Sequence, residues 1–209
     1  HLPDLLELYV FNNNLKALPK DIGSLKTLTH LQAFNNKLSS LPDSIGDLKA
    51  LQEIFVHNNE LEMLPDSLTT ISGLRQIWAF NNKLNSIPLN IGNMAGLTAI
   101  YLYNNNISSL PSSFGKLVKL KYLMMWNNTL LVLPDVFDGM KLFTTIDIRY
   151  NQISSLPASI GRVNNLKYFH VAGNPICNIK YDFPSNIKDN AKLDVCKQQC
   201  AKDCTLKWE

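Results

Sequence analysis

The chain has 209 residues, 45% of them hydrophobic and 18% charged, with a formal net charge of +3. That composition excludes a disordered chain, and lysines interspersed with acidic residues form no basic stripe of the kind a phosphate backbone needs, so nucleic acid is not an expected partner. No apolar run approaches the roughly 18 residues that span a bilayer, and no membrane insertion is expected of this segment.

His1-Leu2-Pro3-Asp4 aligns in phase with Ser24-Leu25-Lys26-Thr27, the tail of a repeating unit. The sequence is therefore expected to continue upstream, with an N-terminal cap missing and the first strand left as an edge through which the chain could assemble. From residue 5 a pattern Leu-x-x-Leu-x-Leu-x-x-Asn-x-Leu recurs every 23 residues, most plainly from Leu120 to Leu130. Its asparagine sets the phase at Asn13, Asn36, Asn59, Asn82, Asn105, Asn128, Asn151 and Asn174, with no insertion or deletion between them. A period of that length means a solenoid of stacked units rather than separate domains.

Each unit reads in two halves. Alternating leucines around Leu8-Tyr9-Val10 or Ile77-Trp78-Ala79 predict a short strand, and stacking identical units makes those strands parallel. The second half reads Leu-Pro-x-x-Ile-Gly-x-Leu, as at Leu18-Pro19 with Ile22-Gly23, Leu41-Pro42 with Ile45-Gly46, and Leu156-Pro157 with Ile160-Gly161. Proline donates no hydrogen bond, so this half is expected as a turn with a brief 3₁₀ or helical segment on the outer face.

After Asn174-Pro175-Ile176 the pattern stops, which divides the chain into eight repeats at 1–176 and a cap at 177–209. All four cysteines, Cys177, Cys196, Cys200 and Cys204, lie in the cap. Their even number and the small core of such a cap argue for two disulfides and an oxidising compartment, with three pairings open. The alternative is a reduced helix with Cys196, Cys200 and Cys204 on one face. No metal site is expected, because a Cys-x-x-Cys pair and a nearby histidine are both missing.

Within each strand the residues between the leucines point to the concave sheet surface. One column runs Tyr9, Gln32, Phe55, Trp78, Tyr101, Met124, Asp147, His170, and the next Phe11, Phe34, His57, Phe80, Tyr103, Trp126, Arg149, Ala172. Beside them stand Asn12, Asn35, Asn58, Asn81, Asn104 and Asn127, then Tyr150 and Gly173. Such an aromatic surface is expected to bind a partner, or else its rings stack on one another as a packing habit of the repeat. The second column is nearly constant and the first changes at every step, as does the one before it: Glu7, His30, Glu53, Gln76, Ala99, Tyr122, Thr145, Tyr168. The expected binding residues are Tyr9, Phe11, Phe55, Trp78, Phe80, Tyr101, Tyr103, Tyr122, Met124, Trp126, Asp147 and Arg149. Of these, Phe55, Trp78, Tyr101, Tyr122, Met124 and Trp126 are the expected hot spots. Asp147 and Arg149 interrupt the aromatic run, Arg149 either bonding a partner carboxylate or stacking on Trp126, or else pairing with Asp147 at the exposed surface.

No glycine-rich phosphate loop, His-Glu-x-x-His or nucleophile elbow is present, and His30, His57 and His170 stand on separate strands, so neither catalysis nor a cofactor is expected.

On these motifs the chain resembles a leucine-rich-repeat protein of the 23-residue class over residues 5 to 176. Its second half is similar to that of Ras-binding scaffolds, plant intracellular Ras-group repeat proteins, and many bacterial and protist arrays. The resemblance implies an α/β horseshoe with a parallel β-sheet on the concave face, short 3₁₀ or helical segments on the convex face, and phase asparagines that bond neighbouring backbone as a structural ladder. The cap resembles the disulfide-bonded C-terminal flank of extracellular relatives in its Asn-Pro followed closely by Cys. It departs from them because Cys177 lacks a second cysteine two residues on, and their pairing is not carried over. The resulting expectation is a secreted or cell-surface module binding a protein or peptide, with Asn106 and Asn127 as glycosylation acceptors. The alternatives are an intracellular, cytoplasmic signalling scaffold, a structural subunit of an extracellular assembly, and carbohydrate binding on rings flanked by amides.

Overall fold

The computed structural model describes Leu2 and residues 4–178; the expected cap beyond them, with Cys196, Cys200 and Cys204, lies outside the described residues. Eight three-residue strands follow in chain order: β1 (Glu7–Tyr9), β2 (His30–Gln32), β3 (Glu53–Phe55), β4 (Gln76–Trp78), β5 (Ala99–Tyr101), β6 (Tyr122–Met124), β7 (Thr145–Asp147) and β8 (Tyr168–His170). They form one sheet in sequence order. Every pair is parallel and in unit register, from Glu7 opposite His30 to Asp147 opposite His170. The ladder continues past the strands, where Val10 N–H donates to Gln32 O (2.9 Å) and Asn12 N–H to Phe34 O (3.1 Å).

The return legs carry 3₁₀ segments, among them Asp43–Asp47, Asp66–Thr70, Ser112–Lys116 and Ala158–Arg162. In these four a proline in extended conformation precedes the turn, with φ between −73° and −67°. A strand cannot continue through a residue with no N–H, so the leg turns and winds tightly. Glycine in these legs answers a close approach: a Cβ on Gly92 would collide with the Ser113 carbonyl oxygen of the next unit.

Leucines from both legs meet in one continuous core, where Leu28, Leu31, Leu51 and Leu97 are wholly buried. Toward the C-terminal half Phe114, Phe137, Phe143 and Phe169 take over the largest buried volumes.

At the end of each strand the chain turns sharply into the core, and in the first six units an Asn-Asn pair makes that turn possible. Asn12, Asn35, Asn58, Asn81, Asn104 and Asn127 sit at φ between 51° and 55°, a left-handed conformation that asparagine tolerates better than most side chains. The second asparagine serves the buried backbone. Asn105 is 7% exposed. Its Nδ2 donates to Ala79 O and Leu102 O, both at 3.0 Å, and its Oδ1 accepts from Leu84 N–H at 2.9 Å. The same three-way bonding recurs at Asn36, Asn59, Asn82, Asn128, Asn151 and Asn174. Asn13, in the first unit, is exposed and donates to Val10 O and Phe11 O of its own unit.

Replacing Asn105 with Ala leaves the buried Leu84 N–H without its acceptor and takes one of two amide donors from each of Ala79 O and Leu102 O, and stability is expected to fall by about 1–3 kcal/mol in urea unfolding. Asn106→Ala, at the exposed neighbour, should stay within about 0.5 kcal/mol of the parent.

Candidate functional site

The concave face divides into columns with different physical roles. The second column is a face-to-face stack: Phe11, Phe34, His57, Phe80, Tyr103 and Trp126 follow one another with ring centroids 4.2–4.6 Å apart and planes within 16°. That separation is close to the strand spacing, so in-register strands impose it. Each inner ring gives both faces to its neighbours and is partly buried, which removes most of the flat aromatic surface expected of Phe80 and Tyr103, while Phe11 and Trp126 at the ends of the stack give up one face each. Burial pushes the Tyr103 hydroxyl up to about 12. It lowers His57 to about 4. His57 Nδ1 is buried and, among the described residues, has no hydrogen-bond partner.

Alongside the rings runs a second amide ladder that the sequence did not announce as structural. Asn35 Nδ2 donates to Asn12 Oδ1 at 2.6 Å, and the bond repeats up the sheet to Asn127 on Asn104 at 2.7 Å. Asn127, expected as a glycosylation acceptor, therefore has its amide nitrogen engaged, although it is exposed, as is Asn106. In the seventh unit Tyr150 takes the left-handed position at φ 52°. Its ring lies against Gly173, where a Cβ would come within 2.5 Å of it.

The first column is less regular. Trp78 stacks on Tyr101 at 3.9 Å and lies 5.5 Å from Phe55. Its indole Nε1 donates to Gln76 Oε1 (3.0 Å), and Gln76 Nε2 donates to Glu53 Oε1 (2.8 Å). His30 stands 3.9 Å from Glu7 and 3.8 Å from Glu53. Tyr9 donates to Glu7. Trp78, Gln76 and Glu53 are thus joined by hydrogen bonds, with His30 at ion-pair distance between Glu7 and Glu53, a role for His30, Glu53 and Gln76 that the pattern of alternation alone did not reveal. Tyr122 is 41% exposed, and Met124 is half-buried beside it.

The seventh unit requires a correction. Asp147 and Arg149 do not form an exposed pair, nor does Asp147 present itself to a ligand: their side chains are 4% and 12% exposed. Arg149 Nε donates to Asp147 Oδ1 at 2.9 Å and Nη2 to Oδ2 at 2.6 Å, with the Arg149 backbone N–H on the same carboxylate. The carboxylate has its acceptors filled from within its own strand, which is what permits its burial.

Among the described residues no group of His, Cys, Asp and Glu is placed to hold a metal ion, and no helix is long and apolar enough to cross a membrane.

The model for the family described as Leucine Rich Repeat matches residues 96–117. No curated protein matches the chain in sequence. Among solved structures, a leucine-rich-repeat protein of Leptospira interrogans is 31% identical with a TM-score of 0.81, over 92% of this chain and 48% of that one. The ectodomain of the Arabidopsis thaliana receptor kinase GASSHO1/SCHENGEN3, solved with Casparian strip integrity factor 2, is 30% identical with a TM-score of 0.74, over 81% of this chain and 21% of that one. The plant peptide hormone receptor RGFR1, solved with RGF2, is 30% identical with a TM-score of 0.66, over 83% of this chain and 33% of that one. The chain therefore spans about half the length of the Leptospira protein and a fifth to a third of the plant receptors.

His57 supplies a pH test of the stack. Its folded value of about 4 lies below its ordinary 6.5, so the folded state resists protonation. The contribution to stability is complete above pH 6.5 and is lost as pH falls toward 4. His57→Phe keeps a ring in the stack and is expected to flatten the decline of the urea midpoint across that window relative to the parent.

Proposed function

We propose that this leucine-rich-repeat protein is a non-enzymatic recognition module that binds a protein or peptide on its concave face. The observation that carries the proposal is the contrast between columns. The ring stack and both amide ladders are nearly constant and consumed by internal contacts, whereas the other two columns change at every unit, and in them Gln76, Trp78, Tyr101, Tyr122 and Met124 stay at least partly exposed. Variation at exposed positions on a constant frame suits recognition, and aromatic side chains give large contact area at small entropic cost. Plant receptor ectodomains of the same fold, solved with peptide ligands, support the same reading. Tyr9 and Phe55 extend the surface toward the first unit; Phe11, Phe80, Tyr103 and Trp126 support it from beneath as much as they offer edges to a ligand.

We further propose a cell-surface or secreted location, with a cysteine-containing cap closed by disulfides at Cys177, Cys196, Cys200 and Cys204. Cys177 packs half-buried against the end of the core, a place where a covalent tie would fasten the cap to the last repeat.

Selection of a random peptide library on the intact chain tests the binding surface. Enriched peptides are expected to lose about tenfold or more in affinity on Tyr122→Ala or Trp78→Ala. Failure to enrich any peptide, or affinities that ignore both substitutions, would sink the concave-face proposal. For the cap, alkylation of the denatured chain without reductant should leave all 4 cysteines unmodified, and with reductant should modify all 4. Four modifiable thiols without reductant in natively isolated protein would point to the reduced alternative.

A further inference from the structure

Five consecutive strands alternate with a period of two units along the edge where the chain enters the sheet. The residue before the strand and the first residue within it read Arg75-Gln76, Thr98-Ala99, Lys121-Tyr122, Thr144-Thr145 and Lys167-Tyr168. In β4, β6 and β8 a cation precedes a large side chain; in β5 and β7 a threonine precedes a small one.

The two classes differ physically. Thr98 and Thr144 turn their hydroxyls back onto the sheet, donating to Arg75 O at 3.1 Å and Lys121 O at 3.0 Å. Ala99 and Thr145 are 4% and 8% exposed. Tyr122, on the strand between them, and Tyr168, on the strand after Thr145, stand out at 41% and 40% exposed. Arg75, Lys121 and Lys167 are exposed, and among the described residues none of them makes an ion pair. The edge thus carries three unpaired cations on alternate strands, two of them beside a raised tyrosine, with low ground between.

Spacing selects what such an edge fits. Neighbouring strands are about 4.8 Å apart, so cations on alternate strands recur every ~9.6 Å. A polyproline II helix has three residues per turn and rises ~3.1 Å per residue, so every third side chain points the same way at ~9.3 Å intervals. A β-extended ligand presents same-face side chains every ~6.7 Å and falls out of step after one cation. From Arg75 to Lys167 is four strand spacings, ~19 Å, which six residue steps of polyproline II cover.

We propose that the edge formed by Arg75, Lys121-Tyr122 and Lys167-Tyr168 binds an acidic peptide in polyproline II conformation, with carboxylates at every third residue. The proposal rests on the peptide-recognition reading above and names the ligand class for one border of that surface. The carboxylates meet the three cations in turn. Tyr122 offers its ring face to an intervening proline, and Thr145 leaves room for the residues that pass between Tyr122 and Tyr168.

The test uses the intact chain and two capped peptides of identical composition, Asp-Pro-Pro-Asp-Pro-Pro-Asp-Pro-Pro and its isomer Asp-Pro-Asp-Pro-Asp-Pro-Pro-Pro-Pro, by calorimetric titration at low salt. The evenly spaced peptide is expected to bind about tenfold tighter than the isomer. Lys121→Ala and Lys167→Ala, both at exposed unpaired positions, should each weaken it about two- to fivefold and narrow the preference. Equal binding of the two isomers, no binding of the spaced peptide, or indifference to both lysine substitutions overturns the proposal. Should library peptides bind through Tyr122 without acidic residues at a three-residue period, this inference alone falls. If no peptide of either kind binds, the recognition reading falls with it.

Discussion

The structure depends on satisfying the backbone where each strand turns back into the core. Every unit must reverse direction within a few residues, and the reversal buries carbonyl and N–H groups that water cannot reach. The second asparagine of each pair supplies the missing partners, with its Nδ2 on carbonyls of its own and the preceding unit and its Oδ1 on an N–H of the preceding one, as Asn128 does for Leu102, Met125 and Ile107. Because one side chain must reach both units at once, the spacing between successive asparagines is fixed, and the eight phase positions carry no insertion. Strand register, the leucine core and the alignment of the concave columns all follow from that fixed spacing.

Register in turn brings like side chains together on the concave face. Rings in the second column stack because parallel strands hold them at nearly the contact distance of two aromatic planes, and amides beside them chain into a second ladder for the same reason. These columns resemble a zipper in which each unit completes the one before it, so a change there disturbs neighbours on both sides. The adjacent columns carry no continuous run of this kind, although Trp78 stacks on Tyr101 and bonds Gln76. Where Ala99 follows Gln76 and Tyr122 follows Ala99, relief on the surface is set unit by unit. A protein built this way separates what must stay constant from what is free to differ.

Periodicity made the solenoid, the strand positions and the proline-led return legs legible from sequence, since the strands rest on a local pattern repeated eight times and the legs on one repeated seven times. Parity along the strand likewise identified the concave columns. What could not be read was the contact between units. Whether Phe34 and Phe80 spend their faces on solvent or on His57 depends on side-chain geometry across strands, which no single unit encodes. Asp147 and Arg149 were legible as a same-face pair, but not as a buried one, because burial comes from the close bidentate geometry of the two side chains and the units around them. Asn12 to Asn127 looked like surface habit, although left-handed turns and amide bonding make them part of the frame. The alternation of cations and threonines at the strand entrance was visible all along, at twice the period that the leucines advertise.

The central claim is that neighbouring columns of one sheet face serve different ends, and a paired measurement on Phe80→Ala and Tyr122→Ala addresses it directly. Unfolding free energy and affinity for one selected peptide are measured for both variants under the same conditions. The account predicts that Phe80→Ala lowers stability while its folded fraction still binds, and that Tyr122→Ala binds weakly at nearly unchanged stability. Loss of binding without loss of stability at Phe80, together with the reverse at Tyr122, would contradict it.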